Sequence, residues 1–290
     1  MSTATKEATK KGAEPAEDEE EGGAMSFWDH LDELRRRLTK SIAAFMVGCL
    51  VAWEFREQLL AALVEPFAGS WAAQGIEGPA SLHFAAPGEA FVSYVKLSMI
   101  GGAALAAPFL FYQLWAFVAP GLYAREKKFV IPFVLSSTLL FVGGGYFGWL
   151  TVFPITFDYF LSMSGTVGSH SVAITPTVMM EPYLDFVMQL LLGFGIVFEL
   201  PLLLLFLSIT GIVNYLQLIR FARWWVLIAS VIAAFLTPPD VTSQMLMGVP
   251  LVVLYGVSII LAYLFGKRPT PEQLAAHKAS RKKKKVEVGA

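Results

Sequence analysis

Apolar residues run in long blocks along this chain, at about 39–53, 97–118, 129–155, 186–213, 224–237 and 245–265, and charged positions gather between them. A helix rises about 1.5 Å per residue and the hydrocarbon core of a bilayer is about 30 Å thick, so blocks near 18 residues or longer predict membrane-spanning helices. Six spans result. The fifth block, "WWVLIASVIAAFLT", has only 14 residues, about 21 Å of helix. It predicts either local thinning of the bilayer or shielding by neighbours. Pro108, Pro132, Pro154, Pro201 and Pro250 fall in or beside these blocks, as does "GGGYFG" at 143–148. Carbonyls freed by such residues need partners inside lipid, which predicts a bent, mutually packed bundle. Gly144 and Gly148 form a GxxxG pair suited to close helix contact. No internal repeat is visible, which counts against a transporter built from inverted halves.

Composition agrees with a membrane. Of 290 residues, 56% are hydrophobic and 16% charged, against roughly 45–50% and 25% in soluble domains. The net charge of −1 hides a polar distribution, with seven acids and three lysines in residues 1–24 and eight bases and two acids in residues 266–290. The first reads as a disordered acidic tail and the second as a basic tail near anionic lipid headgroups. Residues 25–265 form the membrane domain between them. Lys and Arg number seventeen in the tail and loops 34–40, 119–128, 211–223 and 266–290, against two in the alternate segments 54–96, 154–185 and 238–244. Cytoplasmic loops retain the excess, so both termini are expected in the cytoplasm. One cysteine, Cys49, excludes an intrachain disulfide and reads as packing.

The chemistry is sparse. No HExxH, CxxC, P-loop or GxSxG occurs, and His30, His83, His170 and His277 are scattered, so neither an enzyme nor a metal or cofactor site is expected. Polar residues concentrate in two places. In "FWDHLDELRRRL", 27–38, Trp28, Leu31, Leu34 and Leu38 recur at helical spacing and predict an amphipathic helix entering the first span. Arg36 and Lys40 suit an interfacial anchor. Glu33, an acid kept among three arginines, calls for a partner, either one of those arginines or a cation from elsewhere. In "LWAFVAPGLYAREKKF", 114–129, Glu126 lies in a basic loop beside an aromatic, proline-rich turn. It either makes a surface ion pair, worth about 0–1 kcal/mol, or joins Glu33 in a two-carboxylate patch for a cationic, partly hydrophobic peptide.

In "GIVFELPLLLLF", 195–206, Glu199 stands mid-span. A charged acid there costs about 2.5–3.5 kcal/mol on insertion scales, so a neutral or hydrogen-bonded side chain is expected. Pro201 lacks an N–H and frees the carbonyl of Val197. Asp240, after "TPP", is a candidate N-cap for the sixth span.

Taken together, "HLDELRRRL", "APFLFYQLWAFVAPGLYAREKK", "FPITFDYF", "FGIVFELP" and "LTPPDVTSQ" resemble, in order and spacing, the TatC subunit of the twin-arginine protein translocase, over about residues 25–265. The resemblance implies an all-α integral membrane protein of six transmembrane helices, glove-shaped, with short helices five and six. It implies a receptor in the bacterial cytoplasmic (inner) membrane that binds twin-arginine signal peptides of folded cargo. Assembly with the single-span TatB and TatA subunits and with other TatC copies is implied too, as is export driven by the proton-motive force, with no nucleic-acid partner. Carried over by residue, Glu33, Arg35, Phe117 and Glu126 would surround the arginine pair. A carboxylate meets a guanidinium bidentately, which an ammonium cannot reproduce. Glu199 and Gln244 would form an intramembrane polar cluster, and Ala234, Phe235 and Leu236 would contact a partner's helix. One alternative from the residues is a proton-coupled secondary transporter with Glu199 as carrier and Asp185 or Glu181 as relay.

Overall fold

The computed structural model describes residues 27–118, 130–167, 172–237 and 240–268. Nine α-helices are found among them: α1 (Phe27–Glu54), α2 (Arg56–Ala73), α3 (Pro87–Val118), α4 (Val130–Phe147), α5 (Phe153–Leu161), α6 (Met180–Phe198), α7 (Leu200–Thr210), α8 (Tyr215–Leu236) and α9 (Val241–Phe265). A π-helical turn, Gly148–Val152, joins α4 to α5, so Val130–Leu161 runs as one element of 32 residues. Helices α6 and α7 likewise make one element of 31 residues, Met180–Thr210. Five elements are long and apolar enough to cross a membrane, and a sixth is added when α1 and α2, bent by 78° at Phe55, count as one.

The amphipathic segment and the first apolar block form one continuous helix, α1. Its apolar positions point outward: Trp28 is 73% exposed, and Leu31, Leu34 and Leu38 are exposed too. The side facing α3 is instead built from small residues and from Glu33 and Arg37. At Gly48 and Gly102 the two backbones touch, since a Cβ added at Gly48 would lie 2.6 Å from the Gly102 carbonyl oxygen. Cys49 fills the space beside Gly102, as packing.

Only some of the prolines break a helix. Pro108 and Pro250 lie inside α3 and α9, and Pro132 sits in the first turn of α4, where an N–H is dispensable. Pro154 follows the π turn, and Pro201 follows the break at Glu199. The GxxxG pair packs as its spacing suggests, with a Cβ at Gly144 falling 2.5 Å from the Phe194 carbonyl oxygen of α6.

The fifth span departs from the 14-residue reading. Helix α8 has 22 residues, about 33 Å, enough to cross the hydrocarbon core without thinning it. The cause is a capping box. Asn214 Oδ1 accepts from the Gln217 N–H at 3.1 Å, and Gln217 Oε1 accepts from the Asn214 N–H at 2.9 Å. This starts the helix two turns before its apolar part and carries Arg220 and Arg223 on it. Helices α8 and α9, with 22 and 25 residues, are still the shortest of the spanning elements. Asp240 caps α9 as expected, accepting from the Ser243 N–H at 2.8 Å.

Three buried clusters stabilise the described bundle, one of them joining α8 to α9 through Leu218, Tyr255 and Ala262. At the end where α1 begins, Trp115 of α3 packs edge-on against Phe133 of α4 and Phe206 of α7. Toward the opposite end, α2, α5 and α6 bury Phe67, Phe153, Phe157, Leu184 and Phe194. Short strands close that end: β1 (Leu82–His83) pairs parallel with β4 (Val178–Met179), and β2 (Gly165–Val167) pairs antiparallel with β3 (Val172–Ile174).

Candidate functional site

The first site lies where α1 begins and α3 ends. The face of α1 turned to α3 carries Glu33 and, one turn later, Arg37. Arg37 donates from Nε and Nη2 to the same oxygen, Glu33 Oε1, at 2.9 and 2.5 Å. Its Nη1 reaches Gln113 Oε1 of α3 at 3.4 Å. Gln113 is buried, and the Glu33 side chain is only 16% exposed. Glu33 Oε2 is buried with no hydrogen-bond partner among the described residues. One turn before Glu33, the half-buried His30 ring stacks on Phe117 of α3, with centroids 4.3 Å apart and planes 17° from parallel. Glu33, Phe117 and their neighbours therefore share one corner between two helices. Arg35 is exposed on another face of α1, and its carbonyl accepts from the Thr39 hydroxyl at 2.9 Å. The arginine that meets Glu33 is Arg37. Glu126 lies outside the described residues.

The second site is the helix break at Glu199. Helix α6 ends at Phe198, the Glu199 N–H bonds to the Ile196 carbonyl at 3.1 Å, and α7 begins with Pro201 in its first turn. The Ser137 hydroxyl of α4 lies beside the Glu199 carboxyl, while Glu199 Oε1 is buried without a partner among the described residues. Ser137, fully buried, also accepts from Trp115 Nε1 at 2.9 Å. A polar chain thus runs from α3 through α4 to the break. Gln244 is elsewhere: its amide donates to the Ser230 carbonyl of α8 at 3.0 Å. The neighbour of Glu199 is Ser137, and Gln244 is bonded to α8.

Ser137→Ala deletes the acceptor of Trp115 Nε1 and the hydroxyl beside Glu199 together. An orphaned buried polar group costs about 1–3 kcal/mol. The variant is expected to unfold at a visibly lower temperature in detergent; an unchanged transition would show that this chain contributes nothing to stability.

At the end of α8, Phe235 is 79% exposed and Ala234 is exposed, while Leu236 packs over Gly193. Gln189 of α6 holds this turn by donating its amide to the Phe235 carbonyl. The apolar ledge of Ala234 and Phe235 is free of neighbours from the described residues on its outer side. Glu181 and Asp185 sit in the first turns of α6, far from Glu199 along the helix. Both are held by Lys96 of α3, at 2.9 and 2.7 Å. Their place at the start of α6, with Glu199 past its end, does not suit a relay for Glu199. Among the described residues no group of three His, Cys, Asp or Glu is placed to hold a metal ion.

Residues 29–250 match the family model described as Sec-independent protein translocase protein (TatC). The chain belongs to the TatC family. It is 42% identical over 247 residues to the Sec-independent protein translocase protein TatC of Desulforapulum autotrophicum, covering 85% of this chain and 87% of that one. It is 41% identical over 261 residues to the TatC protein of Halothiobacillus neapolitanus, covering 90% and 68%. Its fold superposes on a crystal structure of the twin-arginine translocase receptor TatC with a TM-score of 0.71 at 36% identity, covering 82% of this chain and all of that chain. The chain is thus a multi-pass membrane protein of a protein-transport family, and the expected all-α bundle is the family's fold. Arg37, Gln113 and Ser137 were not singled out by the sequence reading. Their signal was present: Gln113 and Ser137 are polar interruptions of apolar runs, and Arg37 stands one helical turn from Glu33.

Proposed function

We propose that this chain is the receptor subunit of a twin-arginine translocation system in a bacterial inner membrane, with both termini in the cytoplasm. Glu33, Phe117 and Glu126, at the cytoplasmic edge, bind the arginine pair of signal peptides on folded cargo. The observation that carries this reading is the Glu33 carboxylate, drawn in against α3 one turn after the His30 ring that stacks on Phe117, with one buried oxygen unpartnered among the described residues. A carboxylate held on a helix is preorganised for a guanidinium, whose charge-assisted hydrogen bonds contribute about 1.5–3 kcal/mol each. Phe117 supplies an apolar face for the stem of the arginine or for a planar stack. The exposed ledge at Ala234 and Phe235, backed by Leu236 and together with Glu199, serves as docking surface for the single-span TatB and TatA helices, and further copies of the chain complete the assembly. Export then draws on the proton-motive force.

Purified protein in detergent, titrated with a labelled signal peptide carrying Arg-Arg or Lys-Lys, tests this. Tighter binding of the Arg-Arg peptide is expected; equal affinity contradicts it.

A further inference from the structure

Resting on the signal-peptide site just proposed, we infer that Arg37 is a built-in occupant of that site, an internal guanidinium that the incoming arginine replaces on Glu33. Three observations on the same corner carry it. Arg37 places two donors, Nε and Nη2, on one oxygen of Glu33 and a third toward Gln113. This is the chemistry a signal arginine would use, supplied from within the chain. The contact leaves Glu33 little exposed, at 16% of its side chain, and Arg37 at 25%, so an external cation reaches the carboxylate only by moving the internal one. Both Arg37 donors crowd Oε1, and Oε2 has no partner among the described residues. Glu33 is therefore engaged but under-satisfied, unlike a carboxylate in a two-oxygen fork with guanidinium.

The neighbouring cations do not share this role. Arg35, Arg36 and Lys40 are exposed: Arg36 turns to the Asp32 carbonyl at 3.5 Å, and Lys40, two turns along from Glu33, borders the groove beside Leu105 and Phe109 of α3. An acid preceding a base by four residues on a helix is the favourable order, so the Arg37 contact forms with little loss of freedom. It is also weak, as local helix pairs are, and so suits a contact that must be exchanged. The displacement cost is common to every peptide. Arg37 accordingly sets the absolute affinity of the site and not its preference for arginine over lysine.

The test is titration of Arg-Arg and Lys-Lys signal peptides against purified wild-type, Arg37→Gln, Arg37→Lys and Glu33→Gln proteins, each first checked by thermal unfolding. Arg37→Gln is expected to tighten both peptides by the same factor, about two- to tenfold, as loss of a partly buried ion pair implies. Arg37→Lys keeps the charge but loses the planar fork, and is expected to give a smaller gain. In a Glu33→Gln background the Arg37→Gln gain disappears. Unchanged or weaker binding by Arg37→Gln overturns the inference. So does a gain in Arg37→Gln with none in Arg37→Lys, which would indicate charge repulsion alone. If Glu33→Gln binds the Arg-Arg peptide as wild type does, the signal-peptide site itself fails. If Glu33→Gln loses binding while Arg37→Gln gains none, only the displacement step fails.

Discussion

Glu33→Ala is expected to lower the affinity for a twin-arginine peptide by about 10- to 100-fold, and Glu126→Ala to do the same, with both proteins inserted and folded. Each substitution removes one charge-assisted acceptor, worth about 1.5–3 kcal/mol. Fluorescence anisotropy of a labelled peptide on detergent-purified protein measures the loss, and circular dichroism confirms the helices. Wild-type affinity in Glu33→Ala would remove this carboxylate from recognition.

The largest loss of stability is expected from Gly102→Val. A Cβ at Gly102 would lie 2.6 Å from both the Cys49 backbone nitrogen and its Sγ, and 2.8 Å from its Cα. The first and last of these are backbone, so no rotamer change relieves the clash and α1 must move away from α3. Overpacking of this kind costs about 1–3 kcal/mol or more. The movement also separates Glu33 of α1 from Phe117 of α3, so peptide binding falls with stability. Gly143→Ala, where nothing lies within 4 Å of the new Cβ, serves as the control and should melt with the wild type. Coincident melting of Gly102→Val and wild type would contradict the close crossing of α1 and α3.

The spans were legible because uninterrupted apolar blocks have few other uses at this length. The ends of the helices were less so. Arg220 and Arg223 made the start of α8 look like loop, although the Asn214 and Gln217 pair that begins it is a local signal. Helix α2 escaped because Arg56, Glu57, Glu65 and Pro66 interrupt its apolar residues, and it is stabilised by packing against α5 through Phe67 and Phe157. Glu33 was marked by its chemistry, an acid among arginines, but three consecutive arginines are equivalent in composition. Helical spacing, which turns Arg37 and not Arg35 toward Glu33, distinguishes them. The link between Glu199 and Ser137 joins residues 62 positions apart, and nothing local in either segment announces it. The grouping of Glu199 and Gln244 in one polar cluster came from resemblance alone; Ser137 lies beside Glu199, and Gln244 bonds to the Ser230 carbonyl of α8.

The most direct measurement is site-specific crosslinking from position 126, with a photoreactive residue replacing Glu126, to a twin-arginine precursor in native membranes. A crosslink is predicted that maps to residues beside the arginine pair and disappears when the pair becomes Lys-Lys. A crosslink that persists unchanged with Lys-Lys, or none to the signal peptide from position 126 or Phe117, would contradict recognition at this corner.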